Sequence, residues 1–272
     1  MLTRIVVSLV LAPLFLAVLL FAPEGIVTLL VTGIVTLAAF ELLRAVGAKR
    51  NQYVCAVTLA AAALTPVCFW EQTDGWAIKL VLMGLLLSLF LVAVLSYETP
   101  KAVRVEDILF SLFGGILYPV LMSSLVQLRM MEKGAFLVLL PIVSAFLTDT
   151  GAYFFGMFLG KHRGITKVSP NKSAEGFVGG LVSGVVFMVL YGLILKNVFA
   201  LEVNLLRMAL YGLLGSFVTM LGDLSFSLIK RQYGIKDYGS LLPGHGGMLD
   251  RFDSMSFAAP TMWLLVTLIP AF

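Results

Sequence analysis

Apolar positions along this chain neither alternate with polar ones nor fall on one helical stripe. They run together in nine blocks, 5–22, 25–43, 53–70, 76–97, 107–129, 134–160, 174–196, 205–229 and 251–270, separated by short polar stretches. A helix that crosses bilayer hydrocarbon needs roughly 20 mainly apolar residues. In lipid every backbone polar group must be satisfied internally, so blocks of this length span as helices. The pattern predicts an all-α, polytopic integral membrane protein with about nine transmembrane helices. The first block follows Arg4 and has the outline of a secretory leader. It is long enough to span, however, and Pro23-Glu24-Gly25 leads straight into the next block, so it reads as an uncleaved first helix.

Composition agrees. Of 272 residues, 60% are hydrophobic and 12% charged, and mean hydropathy is +1.02. Soluble domains sit near 45–50% apolar and about 25% charged, so a water-soluble globule is excluded, as is a disordered chain. The net charge of +4 speaks for topology more than for nucleic acid, because lysine and arginine gather on the cytoplasmic side of membrane proteins. With the N-terminus placed in the cytoplasm, the inner segments hold Arg4, Arg44, Lys49, Arg50, Lys101, Arg104, Lys161, Arg163, Lys167, Lys172, Lys230, Arg231, Lys236 and Arg251. The outer segments hold Arg129, Lys133, Lys196 and Arg207, with Lys79 at the start of a span. This bias predicts a cytoplasmic N-terminus and puts the two longest polar loops, 161–173 and 230–250, on the same side. Cys55 and Cys68 share one apolar block, which suits packing and not a disulfide framework or zinc site.

The chain reads as a single membrane domain, 1–272. Residues 1–130 form N-terminal helices of mainly structural role, and the first hundred residues read as nearly bare of reactive groups. Residues 140–260 are the chemically dense part. Asp149, Glu175, Asp223, Asp237, Asp250 and Asp253 lie there at span ends or in the two polar loops, with both histidines, His162 and His245. Asp149 and Asp223 fall inside apolar blocks, where a carboxylate is costly unless it faces a wet cavity or a cation. A polar contact between helices is the plainer reading of each.

The stretch 227–253 carries the most chemistry. Lys230, Arg231 and Lys236 put positive charge at the mouth of a span. Pro243-Gly244-His245-Gly246-Gly247 has glycines able to turn backbone N–H groups toward an anion. Asp250 and Asp253, three apart, are expected on one face of a helix starting there. A basic loop, an amide-rich turn and paired acids suit a nucleoside triphosphate with Mg²⁺, which takes one or two carboxylates and completes its shell with phosphate oxygens and water. The loop 160–176 adds Lys161, Arg163, Lys167 and Lys172, with Ser173 as N-cap of the following helix. Taken singly, such cations are topology determinants or headgroup contacts, and Asp250 is a helix cap.

Together these residues resemble the phosphatidate cytidylyltransferase (CDP-diacylglycerol synthase) family. Ser227, Lys230-Arg231, Lys236-Asp237, Pro243-Gly244-His245-Gly246-Gly247 and Asp250-Arg251-x-Asp253 match its C-terminal motif nearly position for position. Asp149-Thr-Gly-Ala-Tyr-Phe, Gly156, Gly160-Lys161, Ser169-Pro170, Lys172-Ser173 and Glu175-Gly176 resemble its second motif region. Many members have Lys-Lys-Thr-Trp-Glu-Gly where this chain has Asn171-Lys172-Ser173-Ala174-Glu175-Gly176, so positions 171 and 174 depart from that pattern. The resemblance covers residues 140–260. It implies transfer of a cytidylyl group from CTP to phosphatidic acid, giving CDP-diacylglycerol and pyrophosphate in phospholipid biosynthesis, at a bacterial inner membrane with the site facing the cytoplasm. On that basis Asp223 and Asp250 are expected as Mg²⁺ ligands, with room for a second cation, K⁺ among the candidates. Asp223, Asp250, Lys230, Arg231 and His245 form the expected catalytic set. Lys172, Ser169, Lys236, Gly246, Gly247 and Arg251 are expected to bind substrate phosphates, with Asp149, Asp237, Asp253 and Glu175 as further members. CTP, phosphatidic acid and membrane lipid are the implied partners, with no nucleic acid, and a homodimer is compatible. A CTP-using kinase of polyprenol or phytol, an ether-lipid cytidylyltransferase and a transporter are the competing readings; the last lacks half-chain symmetry.

Overall fold

In the computed structural model the backbone is described for residues 2–71, 73, 75–100, 102–240 and 246–272, and side chains among these from Ala12 onward. The described residues form nine long helical segments and no strand, with about 77% of the chain helical. They are α1 Leu2–Phe21, α2 Glu24–Ala45, α3 Gln52–Trp70, α4 Trp76–Leu95, α5 Val105–Met130, α6 Gly134–Leu159, α7 Ala174–Val198, α8 Leu205–Gln232 and α9 Met255–Leu268. Seven of them, α2 to α8, are long and apolar enough to cross a membrane. The chain is therefore an integral membrane protein, as its hydropathy requires. Pro13, Pro66 and Pro260 lie inside helices, which membrane helices tolerate. The last block differs from expectation: Leu249–Phe252 is a separate helical turn, and the helix proper starts at Met255. Asp250 and Asp253 thus do not share one helix, because Asp253 and Ser254 form a turn between the two.

The chain divides into two compact units. The first comprises Met1–Ala135 and Gln232–Phe252. Its helix ends are closed by polar groups. Asn51 Oδ1 accepts the amides of Tyr53 (3.1 Å) and Val54 (3.3 Å) at the start of α3, satisfying donors that a helix start leaves open. Asp107 accepts the Arg104 amide (2.9 Å) and pairs with Arg50 (3.2 Å) at the start of α5. Arg129 donates to the Leu19 and Ala22 carbonyls at the end of α1 (3.0 and 3.1 Å). A π-helical step, Phe113–Leu117, interrupts α5. Helix α4 buries only Leu85 and Leu89 and exposes apolar side chains that include Leu80, Leu87 and Leu91, as suits contact with lipid. Cys55 and Cys68 are free thiols.

The second unit comprises Phe136–Arg231 and Asp253–Phe272. Here α6, α7, α8 and α9 pack closely, because small residues line their contacts. Gly184 and Gly212 mark one crossing. A methyl group on Gly212 would sit 2.6 Å from Val185 Cα and 2.7 Å from the Gly184 carbonyl. Without a hydrophobic drive between helices in lipid, such close backbone approach is what holds them together. Ser144 on α6 meets Thr219 on α8 at 3.5 Å. The Tyr211 hydroxyl of α8 reaches the Leu265 and Ile269 carbonyls at the end of α9 (3.0 and 2.7 Å). Neighbouring helices run antiparallel, so the C-terminal half of α6, the starts of α7 and α9 and the end of α8 gather at one end of this bundle.

Candidate active site

That end of the bundle carries the charge. Ser173 Oγ accepts the Gly176 amide (3.1 Å) and starts α7 as its N-cap, which fixes Lys172 just outside the helix. The Lys172 ammonium donates to the Asp223 carboxylate on α8. Their side chains are 34% and 27% exposed, so the pair sits at the margin of the bundle. Asp223 lies within electrostatic reach of both Asp149 on α6 and Asp253 before α9, and Lys230 within reach of Asp253. Ser254 Oγ stands 3.2 Å from Asp149 Oδ2 and 3.4 Å from Asp253 Oδ1, linking the two acids, and the Ser254 amide donates to Asp253 (2.7 Å). Asp253 and Lys230 are buried. This unit thus assembles three carboxylates and two ammonium groups drawn from four separated stretches of sequence.

The loop between α6 and α7 braces the cluster. Arg163 and Ser173 form an isolated antiparallel bridge. Glu175 accepts the His162 amide (3.2 Å) and pairs with its Nδ1 (2.5 Å), so Glu175 closes its own loop. Arg231 Nε donates to the Val168 carbonyl (3.3 Å), tying the end of α8 to the same loop. The Ser169 amide bonds Thr166 Oγ1 (3.2 Å).

In the first unit, Asp250 stands at the helical turn Leu249–Phe252, and its Oδ2 accepts the Tyr238 (2.8 Å) and Gly247 (3.0 Å) amides. The Gly247 N–H expected to face a phosphate is thus directed at a carboxylate of the same loop. Gly246 takes a left-handed φ of 79°. Lys236, Asp237 and Arg251 are exposed. His245 lies outside the described residues, as do Pro243 and Gly244. The reading of residues 1–130 overlooked Glu41 on α2. Its carboxylate is buried and accepts the Leu249 amide (2.9 Å). The available signal was the one used for Asp149 and Asp223, an acid inside an apolar block.

The donor set fits Mg²⁺: the carboxylate oxygens of Asp149, Asp223 and Asp253 and the Ser254 hydroxyl are hard ligands of the kind it takes. No three acids or histidines among the described residues close around a metal by themselves.

Fold and site together define a polytopic helical membrane protein with acids and cations gathered at one end of a helix bundle. A sequence model described as the cytidylyltransferase family matches residues 2–269. A phosphatidate cytidylyltransferase of Thermotoga maritima is 32% identical over 270 residues, covering 98% of this chain and 96% of its own. One from Staphylococcus epidermidis is 33% identical over 208 residues, covering 76% and 78%. One from Bacillus subtilis is 39% identical over 144 residues, covering 53% and 52%. The chain belongs to the cytidylyltransferase family and is a nucleotidyltransferase.

Proposed function

We propose that this enzyme transfers the cytidylyl group of CTP to phosphatidic acid, releasing pyrophosphate and leaving CDP-diacylglycerol in the membrane for phospholipid synthesis. The reading is supported above all by the Lys172–Asp223 pair standing beside Asp149 and Asp253, in a chain whose long relatives bear the name phosphatidate cytidylyltransferase. Both reactants are anionic and one of them is a lipid, so a charged centre at the end of a membrane bundle matches their chemistry. The lysine and arginine bias supports a cytoplasmic location for this end, where CTP is, and the bacterial relatives support an inner or cell membrane.

A phosphate monoester oxygen is already an anionic nucleophile, so no covalent enzyme intermediate is needed. It attacks the α-phosphorus of CTP in line, forming the new P–O bond as the bond to pyrophosphate breaks. The protein's task is positioning and neutralisation of charge. Lys172, Lys230 and Arg231 neutralise phosphate oxygens, and Lys236, Arg251, Ser169 and the Gly246 amide are assigned to binding, while the Gly247 amide holds Asp250. We assign Asp223 and Asp250 to Mg²⁺, which when bound would neutralise phosphate charge and favour departure of pyrophosphate. Asp149 and Asp253 set the field around Asp223, with Ser254 holding them in place.

Purified protein in mixed micelles, given labelled CTP, phosphatidic acid and Mg²⁺, should place label in the lipid phase. Asp223→Asn and Asp250→Asn, each still folded, should lose that transfer. With CTP labelled at the α-phosphorus, no label in phosphatidic acid but label in an ether-lipid phosphate would reassign the acceptor, whereas label reaching a polyprenol only from the γ-phosphorus would make the enzyme a kinase. Wild-type rates in either variant would remove that residue from the centre.

A further inference from the structure

Glu41 and Arg44 lie one turn apart near the end of α2, in the part of the chain that reads from sequence as scaffold. Both are directed at the segment carrying Asp250. Glu41 is only 4% exposed. Its Oε2 accepts the Leu249 amide at 2.9 Å, and the Met248 amide also bonds its carboxylate. Arg44 donates to the Tyr238 carbonyl at 2.8 Å. The amide of that same Tyr238 donates to Asp250. Two glycines complete the arrangement. A methyl group on either Gly239 or Gly247 would overlap the Glu41 carboxylate, so Glu41 occupies the space that side chains at both positions would need. The two stretches 238–240 and 246–250 therefore meet on one carboxylate, with Asp250 tied to both.

Burying a carboxylate is unfavourable unless hydrogen bonds are directed at it. Here the donors are backbone amides of the loop itself, so the group is stable only while the loop keeps this conformation. The dependence also runs the other way, because the amides lose their acceptor if Glu41 is removed. We propose that Glu41, assisted by Arg44, is a positioning residue of the enzyme: it holds the stretches 238–240 and 246–250 so that Asp250 stays in its working orientation. Glu41 acts through the loop and does not touch substrate. The proposal rests on the assignment of Asp250 to the reaction made above.

The test compares wild type with Glu41→Ala, Glu41→Gln, Gly239→Ala and the Glu41→Ala/Gly239→Ala double variant, each checked for a monodisperse elution profile. Misplacement of a reacting group by about 1 Å costs up to 100-fold. Glu41→Ala should therefore lower kcat about 10- to 100-fold while leaving KM for phosphatidic acid within twofold. Glu41→Gln keeps one acceptor oxygen but points an NH₂ at an amide donor, and should recover part of the rate. Gly239→Ala alone should cost at least tenfold. Added to Glu41→Ala, it should cost less than twofold more, since the group it strikes is gone. Amide hydrogen exchange, which needs no turnover, should quicken at least tenfold in peptides 233–240 and 246–252 of Glu41→Ala and stay unchanged in α8.

Unchanged exchange in those peptides overturns the clamp, whatever activity wild type shows. Faster exchange throughout the chain, or a rise in KM with kcat intact, overturns the positioning role. Independent, multiplying losses in the double variant overturn the contact itself. Absence of label transfer by wild type is a different failure: it removes the phosphatidate reading, while the exchange comparison still decides whether Glu41 holds the loop.

Discussion

Replacing Lys172 by methionine tests the charged cluster most directly, because it removes one ammonium and keeps the stem. Lys172 pairs with Asp223, and Asp223 already has Asp149 and Asp253 within electrostatic reach. Without Lys172, three carboxylates remain around one position, and Lys230 is the ammonium left beside them. Breaking a fully buried ion pair by removing one partner costs about 3–5 kcal/mol, whereas exposed pairs contribute about 0–1 kcal/mol. With exposures of 34% and 27% this pair lies between those limits. We expect Lys172→Met to cost about 1–3 kcal/mol, which at roughly 2–4 °C per kcal/mol is a fall of about 2–12 °C in apparent Tm.

The double variant Lys172→Met/Asp223→Asn separates charge from packing. Removing the orphaned carboxylate should restore at least half of the lost Tm, because the repulsion disappears with it. Transfer activity should follow a different course. Loss of one preorganised donor at a reacting centre costs about 10²–10³ in kcat, so the single variant should be at least 100-fold slower and the double should stay inactive. The assays are a thermal unfolding scan in detergent and the labelled-CTP transfer described above. A single variant as stable as wild type, or a double variant no more stable than the single, would refute the argument that Lys172 is there to balance Asp223.

Three further outcomes follow from the packing. Gly212→Ala forces a methyl group against Val185 Cα and the Gly184 carbonyl, backbone atoms that cannot rotate away. It should destabilise by about 1–3 kcal/mol, whereas Gly84→Ala, with nothing within 4 Å, should be neutral or stabilising in the same scan. Arg129→Ala leaves the Leu19 and Ala22 carbonyls without their donor, at about 1–3 kcal/mol, and should speed protease cleavage at residues 21–24. Ser254→Ala removes the hydroxyl between Asp149 and Asp253 and should lower kcat about tenfold, with Tm changed by less than a few degrees; an unchanged rate would show that the hydroxyl does not order these acids.

How far the sequence discloses this molecule depends on how local each signal is. Spans are legible because hydropathy is a property of a block, and seven of the nine blocks correspond to helices long enough to cross. Ser173 is legible as a cap because its partner, the Gly176 amide, is three residues away. Asp149 and Asp223 stand out because each is an acid in an apolar run. The same criterion applies to Glu41, although Arg44, Lys49 and Arg50 follow it and give it the look of the edge of a basic loop. Nothing near Glu41 in sequence shows that its acceptors meet Leu249, more than 200 residues further on. The spacing of Asp250 and Asp253 misled for the complementary reason. Three residues apart implies a shared helical face only if the helix is continuous, and Ser254, bonded to Asp253 through both its amide and hydroxyl, turns the chain there instead. Short polar side chains that bond their own backbone compete with helix at such positions, so the acid that looks like one half of a pair is better read as the residue that ends one element and starts the next.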